Sequence, residues 1–342
     1  MKKILHVENL KMHFPFSAKK TMFGSASGVL KAVDDVTFSL YEGETLGIVG
    51  ESGCGKTTLG RAIMRIYKPT SGKVIYHDKD GKKTDLAQLS QKEMRKFWLD
   101  MRMVFQDPKG SLNPRLTVLE IIGEALKVNK LATKEEIEAR VRDLMARVGL
   151  RPEYLLRYPH AFSGGERQRI SIASALSVNP RLVIADEPVS ALDVSVQAQT
   201  INLMEDLQKD FNLTYIFIAH DLSVVQHISD RVMVMYVGKM VELADTDTLY
   251  RTPMHPYTYA LMSSIPYPDP HKRDNVHIEL KGSIADPANP PTGCYFHPRC
   301  QYADDTCVKQ TPEITLVGPE HYVACHHATE LDLANEVKFN WK

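Results

Sequence analysis

Gly50-Glu51-Ser52-Gly53-Cys54-Gly55-Lys56-Thr57 is the stretch around which the rest of the chain is read. It fits G-x-x-x-x-G-K-[ST] and follows the apolar run Thr45 to Val49, a buried-strand pattern. Glycines at Gly50, Gly53 and Gly55 let backbone N–H groups curl round a phosphate chain. A helix starting behind the loop would aim its positive end at the same anions. Lys56 is placed to reach the β- and γ-phosphates of a nucleotide, and Thr57, with Thr58 beside it, to put a hydroxyl on Mg²⁺. From average composition, a chance match to this pattern in such a length is on the order of 1%. Ser52, Gly53, Cys54 and Thr58 are counted with Gly50, Gly55, Lys56 and Thr57 among the nucleotide-contacting residues. No charge partner for Cys54 is visible in the sequence, so it reads as a small filler and not as a reactive thiol.

A phosphate loop needs an acid to orient its metal and a base to activate water. Leu182-Val183-Ile184-Ala185-Asp186-Glu187 ends an apolar strand pattern on two adjacent carboxylates. Asp186 would hold Mg²⁺ through water and Glu187 would polarise the attacking water. Such a pair alone could be a helix cap. Borne on a strand and downstream of a phosphate loop, it reads as catalytic.

Around these motifs the chain alternates strand and helix patterns, the mark of an α/β core. Ile4 to Met12 and Val29 to Leu40 alternate apolar and polar residues, as in a half-exposed antiparallel sheet, with a Gly/Ser-rich insert from Ser17 to Gly28 read as a loop. The region from about residue 107 to 177 is helical by pattern, including Lys134 to Val148. Tyr215 to Ala219 is a second apolar strand signal beyond the helix pattern Val194 to Lys209, and Arg231 to Leu243 reads as a hairpin turning near Val237-Gly238.

The 42 basic and 42 acidic residues balance, which points away from nucleic acid as a partner. No apolar run approaches the ~20 residues that cross a bilayer, and Met1-Lys2-Lys3 runs straight into a strand pattern with no signal-peptide character. The expectation is a chain soluble by itself, in a reducing cytoplasm, whose membrane role would come through partners. Composition changes late in the chain: nine of the 19 prolines lie between Pro253 and Pro298, and four of the five cysteines between Cys294 and Cys325. The expected division is therefore a nucleotide-binding domain over residues 1–250 and a proline-rich linker with a small extension over 251–342. No internal repeat is found, so a single cassette is expected.

Cys294, Cys300, Cys307 and Cys325 read as a shared ligand set. Zinc is one candidate, although close C-x2–4-C pairs are missing, and an iron–sulfur cluster is another, although the spacing differs from ferredoxin runs. Disulfides come last in a reducing compartment. A unit this small has little core, so a metal centre would supply its folding energy. On this reading, Cys300→Ser unravels the extension and leaves nucleotide binding at Lys56 intact.

Phe162-Ser163-Gly164-Gly165-Glu166-Arg167-Gln168-Arg169 resembles the ATP-binding cassette signature. The other motifs follow in that family's order: Gln106 in Val-Phe-Gln-Asp-Pro, Ser190-Ala191-Leu192-Asp193, and His220 after Tyr-Ile-Phe-Ile-Ala. The wording Gly-Glu-Ser-Gly-Cys-Gly-Lys, Phe-Gln-Asp-Pro-Lys-Gly-Ser-Leu-Asn-Pro-Arg and Asp-Glu-Pro-Val-Ser-Ala-Leu-Asp-Val-Ser-Val-Gln-Ala-Gln is similar to the dipeptide/oligopeptide importer ATPases, and more to the second of their two ATPase subunits than to the first. The resemblance covers nearly the whole chain.

The resemblance implies a P-loop NTPase core of cassette type with an antiparallel β subdomain, a helical signature-bearing subdomain and the cysteine-bearing extension. It implies ATP hydrolysis driving solute import, with ATP and Mg²⁺ at the site. Gln106 and His220 would join Glu187 in catalysis, Gln106 also meeting the metal. The cassette signature (Ser163, Gly164, Gly165, Glu166) and Asp193 would contact a nucleotide across a head-to-tail dimer. Phe14 best fits the spacing of the aromatic residue that stacks on adenine, with Phe16 close by. The partners implied are a second ATPase subunit, two transmembrane permease subunits and an extracytoplasmic solute-binding protein, at the cytoplasmic face of the cell membrane. The four cysteines would hold a 4Fe–4S cluster. Glu166 replaces a usual glutamine and brings a negative charge toward the γ-phosphate. The rival class is a soluble cassette ATPase acting in translation or DNA repair; those usually carry two cassettes or a long coiled-coil insert, and neither pattern occurs here.

Overall fold

The computed structural model describes residues 2–17, 27–264 and 282–333, and most of the insert read as a loop lies outside them. The chain divides into two compact units: Met1–Lys2, Tyr41–Thr45 and Leu89–Ala219 form one, and Lys3–Leu40, Leu46–Gln88 and His220–Lys342 the other. The strands are β1 (Lys3–Ser17), β2 (Ser27–Tyr41), β3 (Thr45–Val49), β4 (Ser71–His77), β5 (Lys83–Asp85), β6 (Met101–Val104), β7 (Leu182–Asp186), β8 (Thr214–Ile218), β9 (Arg231–Tyr236), β10 (Lys239–Asp245), β11 (Thr315–Gly318) and β12 (His321–Val323). No described helix is long and apolar enough to cross a membrane.

The unit carrying the glycine-rich loop contains the antiparallel sheet β2-β1-β4-β5. The alternation that predicts its second strand is visible in burial from Val36 onward: Val36, Phe38 and Leu40 are buried with Thr37 and Ser39 between them, whereas Val33 and Asp34 are buried side by side. The β1–β4 register runs from Leu5↔Tyr76 to Glu8↔Lys73 and then slips at a bulge before Lys11↔Ser71. Within the same unit, β3 pairs parallel with β9, from Leu46↔Arg231 to Val49↔Val234, directly ahead of the loop.

The hairpin of β9 and β10 turns on Val237 (φ 42°) and Gly238 (φ 78°), both left-handed, as a two-residue turn matching strand twist requires. That turn buttresses the loop, because the Gly238 N–H donates to the Cys54 carbonyl at 2.8 Å. Beyond it β12 pairs with β10 through Glu242↔Val323 and Leu243↔Tyr322, and β11 adds to β12. The extension therefore contributes two strands to a sheet, an integration that its composition does not foretell.

In the other unit, β8, β7 and β6 run parallel; β7 and β8 are buried at every residue, as continuous apolar strands should be. Helices Val118–Val128, Lys134–Arg147 and Gly164–Leu176 fill most of the stretch read as helical. Each begins with a capping box, Thr117/Glu120, Thr133/Glu136 and Ser163/Glu166, in which side chain and backbone satisfy each other's free donors. The long helix Val194–Phe211 is capped by Asp193 and ends on Asn212 at φ 50°.

Candidate functional site

Behind β3 the loop folds back on itself and runs into the helix Lys56–Ile63. Gly50, Gly53 and Gly55 carry φ of 148°, 80° and 106°. At Gly55 a Cβ would stand 2.0 Å from the Ala32 carbonyl oxygen, so both conformation and space demand glycine. Lys56 is 4% exposed. Its ammonium donates to the Gly50 carbonyl at 2.6 Å and the Glu51 carbonyl at 3.1 Å, which places a fixed positive charge at the loop's centre. Ser52 and Gly53 are exposed, while Thr57 and Thr58 are half-buried on the first helical turn. Cys54 is buried, and burial pushes its thiol up, which suits a filler and not a nucleophile. Phe14 is half-buried with its ring edge-on to Tyr67, centroids 5.5 Å apart, whereas Phe16 is 39% exposed.

The other unit carries the carboxylates. Asp186 ends β7 and is fully buried. Glu187 stands next at φ 45°, a left-handed conformation that costs an ordinary residue energy and is held here from several sides. Its N–H donates to the Ile218 carbonyl at 2.9 Å, and its own carbonyl accepts from the Ser190 N–H and hydroxyl. The Gln106 side-chain amide donates to the Glu187 carboxylate at 2.8 Å. Two residues given separate places by the sequence are thus one hydrogen-bonded pair. His220 follows the end of β8 and is exposed.

Ser163 caps its helix and is exposed, with Gly164 beside it in open space. At Gly165 a Cβ would stand 2.6 Å from Val196 Cγ1. The Glu166 carboxylate accepts from the Ser163 N–H and hydroxyl, both at 2.8 Å, and these bonds hold its carboxyl below the usual range. Glu166 thus has a local partner in the residue whose hydroxyl should meet phosphate, where the sequence reading saw only an added charge. The S-x-x-E spacing was the available signal. Asp193 accepts from the Val196 N–H at 3.0 Å, so it too is a helix cap.

Cys294, Cys300, Cys307 and Cys325 line one small cavity with His297 and His327. The Cys294 N–H donates to the Cys307 carbonyl at 2.8 Å, tying the first and third together. Burial pushes Cys325 up to about 12, and the other three thiols add to that rise; Cys300 goes up to about 11 for the same leading reason. Thiols largely withdrawn from water that disfavour one another's ionisation suit a set whose charges a metal would compensate. A single zinc ion holds four sulfurs at about 2.3 Å, hence about 3.8 Å from one another. Among the described residues, the trio of potential ligands within 4.8 Å of each other is Asp304, Cys307 and His327. No trio of the cysteines is drawn that close.

Sequence reasoning missed the aromatic cluster Tyr236, Tyr257 and Phe296, with ring centroids 4.7 to 5.3 Å apart. It also missed buried Glu242, whose carboxylate accepts from His321 at 2.8 Å and from the N–H groups of Met254 and His255. The aromatic residues are far apart in the chain, and nothing local marks a lone glutamate in an apolar strand as an anchor.

A family model described as ABC transporter matches residues 33–190, and one described as oligopeptide/dipeptide transporter, C-terminal region, matches 241–307. An oligopeptide transport ATP-binding protein of Bacillus subtilis, AppF, is 54% identical over 94% of this chain and 97% of its own length. The oligopeptide transport ATP-binding protein OppF of Salmonella typhimurium is 50% identical over 95% of this chain and 96% of its own. Among solved structures, cbiO1 of Clostridium perfringens, part of the ABC transporter complex cbiONQ, superposes with a TM-score of 0.60 at 28% identity, over 73% of this chain and 91% of that one. With these matches spanning nearly the whole sequence, the chain belongs to the oligopeptide-transport ATP-binding proteins of the ABC transporter family.

Proposed function

We propose that the chain binds and hydrolyses ATP to power import of di- and oligopeptides across the cell membrane, in the place of the second of two ATPase subunits. The observation that carries this reading is the loop Gly50 to Thr57, folded with its glycines left-handed and Lys56 at its centre. Peptide cargo is named because relatives at 50–54% identity are oligopeptide transport ATP-binding proteins. The nucleotide-binding domain spans residues 1–250, with its helical subdomain at about 107–177, and the linker and extension span 251–342. The chain works with a second ATPase subunit, two permease subunits and an extracytoplasmic solute-binding protein, as a peripheral subunit at the cytoplasmic face.

In this mechanism Lys56 and the loop N–H groups would bind the β- and γ-phosphates, and Thr57, Asp186 and Gln106 are each assigned as residues that would meet Mg²⁺. Glu187 takes the proton of the attacking water, and the Gln106 amide bonded to it holds the carboxylate ready. Ser163, Gly164 and Gly165, at a helix N-terminus, offer a second anion site to the nucleotide on the partner's loop. Asp193 and His220 would complete the contacts, and Phe14 would be the residue that stacks on the adenine. Glu187→Gln should retain ATP and lose about 10²–10⁴ in turnover. Turnover within about threefold of wild type would place the base elsewhere.

Cys294, Cys300, Cys307 and Cys325 would hold a 4Fe–4S cluster, a reading supported by the cavity they share. When bound, the cluster supplies a covalent cross-link that stabilises a unit with little core. Anaerobically purified protein should contain iron and acid-labile sulfide in near-equal amounts. Zinc without sulfide would replace the cluster with a zinc site.

A further inference from the structure

Glu51, the second residue of the phosphate loop, is held by the cysteine-bearing extension. Arg299 Nη1 donates to Glu51 Oε2 at 2.7 Å and Nη2 donates to Oε1 at 3.1 Å, a bidentate pair. The arginine side chain is 6% exposed and the glutamate 22%. The rest of Glu51 is also fixed. Its N–H donates to the Tyr257 hydroxyl at 2.9 Å, and its carbonyl accepts from Lys56 at 3.1 Å and from the Cys54 N–H at 3.2 Å.

Arg299 ends a single helical turn, His297–Arg299, that is bracketed by Cys294 and Cys300. The His297 N–H donates to the Cys294 carbonyl at 3.0 Å, and the Cys300 N–H to the His297 carbonyl at 3.2 Å. The guanidinium carbon lies 5.9 Å from the Tyr236 ring centre, and Tyr236 packs on Tyr257 and Phe296. A continuous set of contacts therefore runs from two of the four cysteines, through Arg299, to the loop backbone.

A carboxylate inside a phosphate loop repels the polyanion that the loop is built to hold, and more strongly where water is excluded. A guanidinium locked on that carboxylate removes the repulsion and fixes the backbone from which it projects. We propose that Arg299 is a positioning residue for the nucleotide loop, and that through its pair with Glu51 phosphate binding depends on the cysteine-bearing turn. This rests on the reading of Gly50 to Thr57 as the ATP site. It reverses the sequence-based expectation that the extension can unravel without cost to nucleotide binding.

The test titrates full-length protein with a fluorescent ATP analogue, so that stoichiometry reports the folded fraction and Kd reports the loop. Arg299→Gln should raise Kd about tenfold or more at retained stoichiometry, because it strands a carboxylate beside the phosphates. Glu51→Gln combined with Arg299→Gln should return Kd to within about threefold of wild type, a non-additivity that loss of folding does not produce. Arg299→Lys keeps the charge but not the fork, and should fall between wild type and Arg299→Gln; it carries the test if Arg299→Gln fails to fold. Lys56→Ala is the control for the site itself. If Lys56→Ala loses binding while Arg299→Gln, or a folded Arg299→Lys standing in for it, stays within about twofold of wild type, the positioning role is overturned and the ATP site stands. If Lys56→Ala binds as wild type does, the site reading and the inference fall together.

Discussion

Gly50 to Thr57 gather their functional atoms within eight consecutive residues, whereas Cys294, Cys300, Cys307 and Cys325 come from four separate points of the extension. In the loop, each feature is a property of its own residue: a left-handed glycine, a lysine turned back onto the carbonyls of Gly50 and Glu51. In the extension no residue is decisive by itself. Its cysteines meet because β12 pairs with β10, because His321 reaches Glu242, and because the Cys294 and Cys307 backbones bond. The loop is specified by local conformational preference and the extension by long-range pairing. The Arg299–Glu51 pair is where the two kinds of construction meet.

The largest expected effect attacks the loop from within. Gly55→Ala forces a Cβ onto the Ala32 carbonyl at a φ of 106°, and should weaken nucleotide binding by about 100-fold or more. Binding assays on the folded variant check this, and near-normal affinity would mean that local geometry does not set the loop. Next comes the anchor of the extension. Glu242→Ala touches no cysteine, yet it strands buried donors on Met254, His255 and His321, at a cost of about 3–5 kcal/mol. Limited proteolysis should then clip the extension while sparing the helical region; an extension as resistant as wild type would make it self-supporting and erase the contrast with the loop.

The smallest effect concerns a motif of the first kind. Glu166→Ala removes the capping box with Ser163 and should cost about 1 kcal/mol, measured by denaturant unfolding. The Glu166 carboxyl titrates below its ordinary range because the Ser163 N–H and hydroxyl bond its ionised form. Its contribution is therefore complete above the ordinary glutamate value and is lost as pH falls through the lowered one. Wild type should lose this increment on acidification, while Glu166→Gln, which does not titrate, should not. A pH dependence unchanged in Glu166→Gln would sink the assignment.

Legibility followed the same division. Buried strands β7 and β8 were visible as continuous apolar runs, and the β9–β10 hairpin as two runs around Val237-Gly238. By contrast β6, four residues long, lay within a stretch with no period to separate it from its surroundings, β11 is short and half-exposed, and β12 has only three residues, too few to show a period. The Gln106–Glu187 bond was within reach as two roles but not as a contact, since 81 positions separate the residues.

By itself the sequence determined the phosphate loop, the strand-borne carboxylates, the cassette signature and the helix caps. Each of these is a short run whose residue types fix backbone angles or hydrogen bonds among neighbours in the chain. Only the tertiary structure decided that the four thiols share a cavity, that Glu242 receives the extension, and that Arg299 closes on Glu51 across 248 positions. The physical reason is that such contacts depend on sheet register and on the packing of distant rings, so no local window contains the energy that selects them.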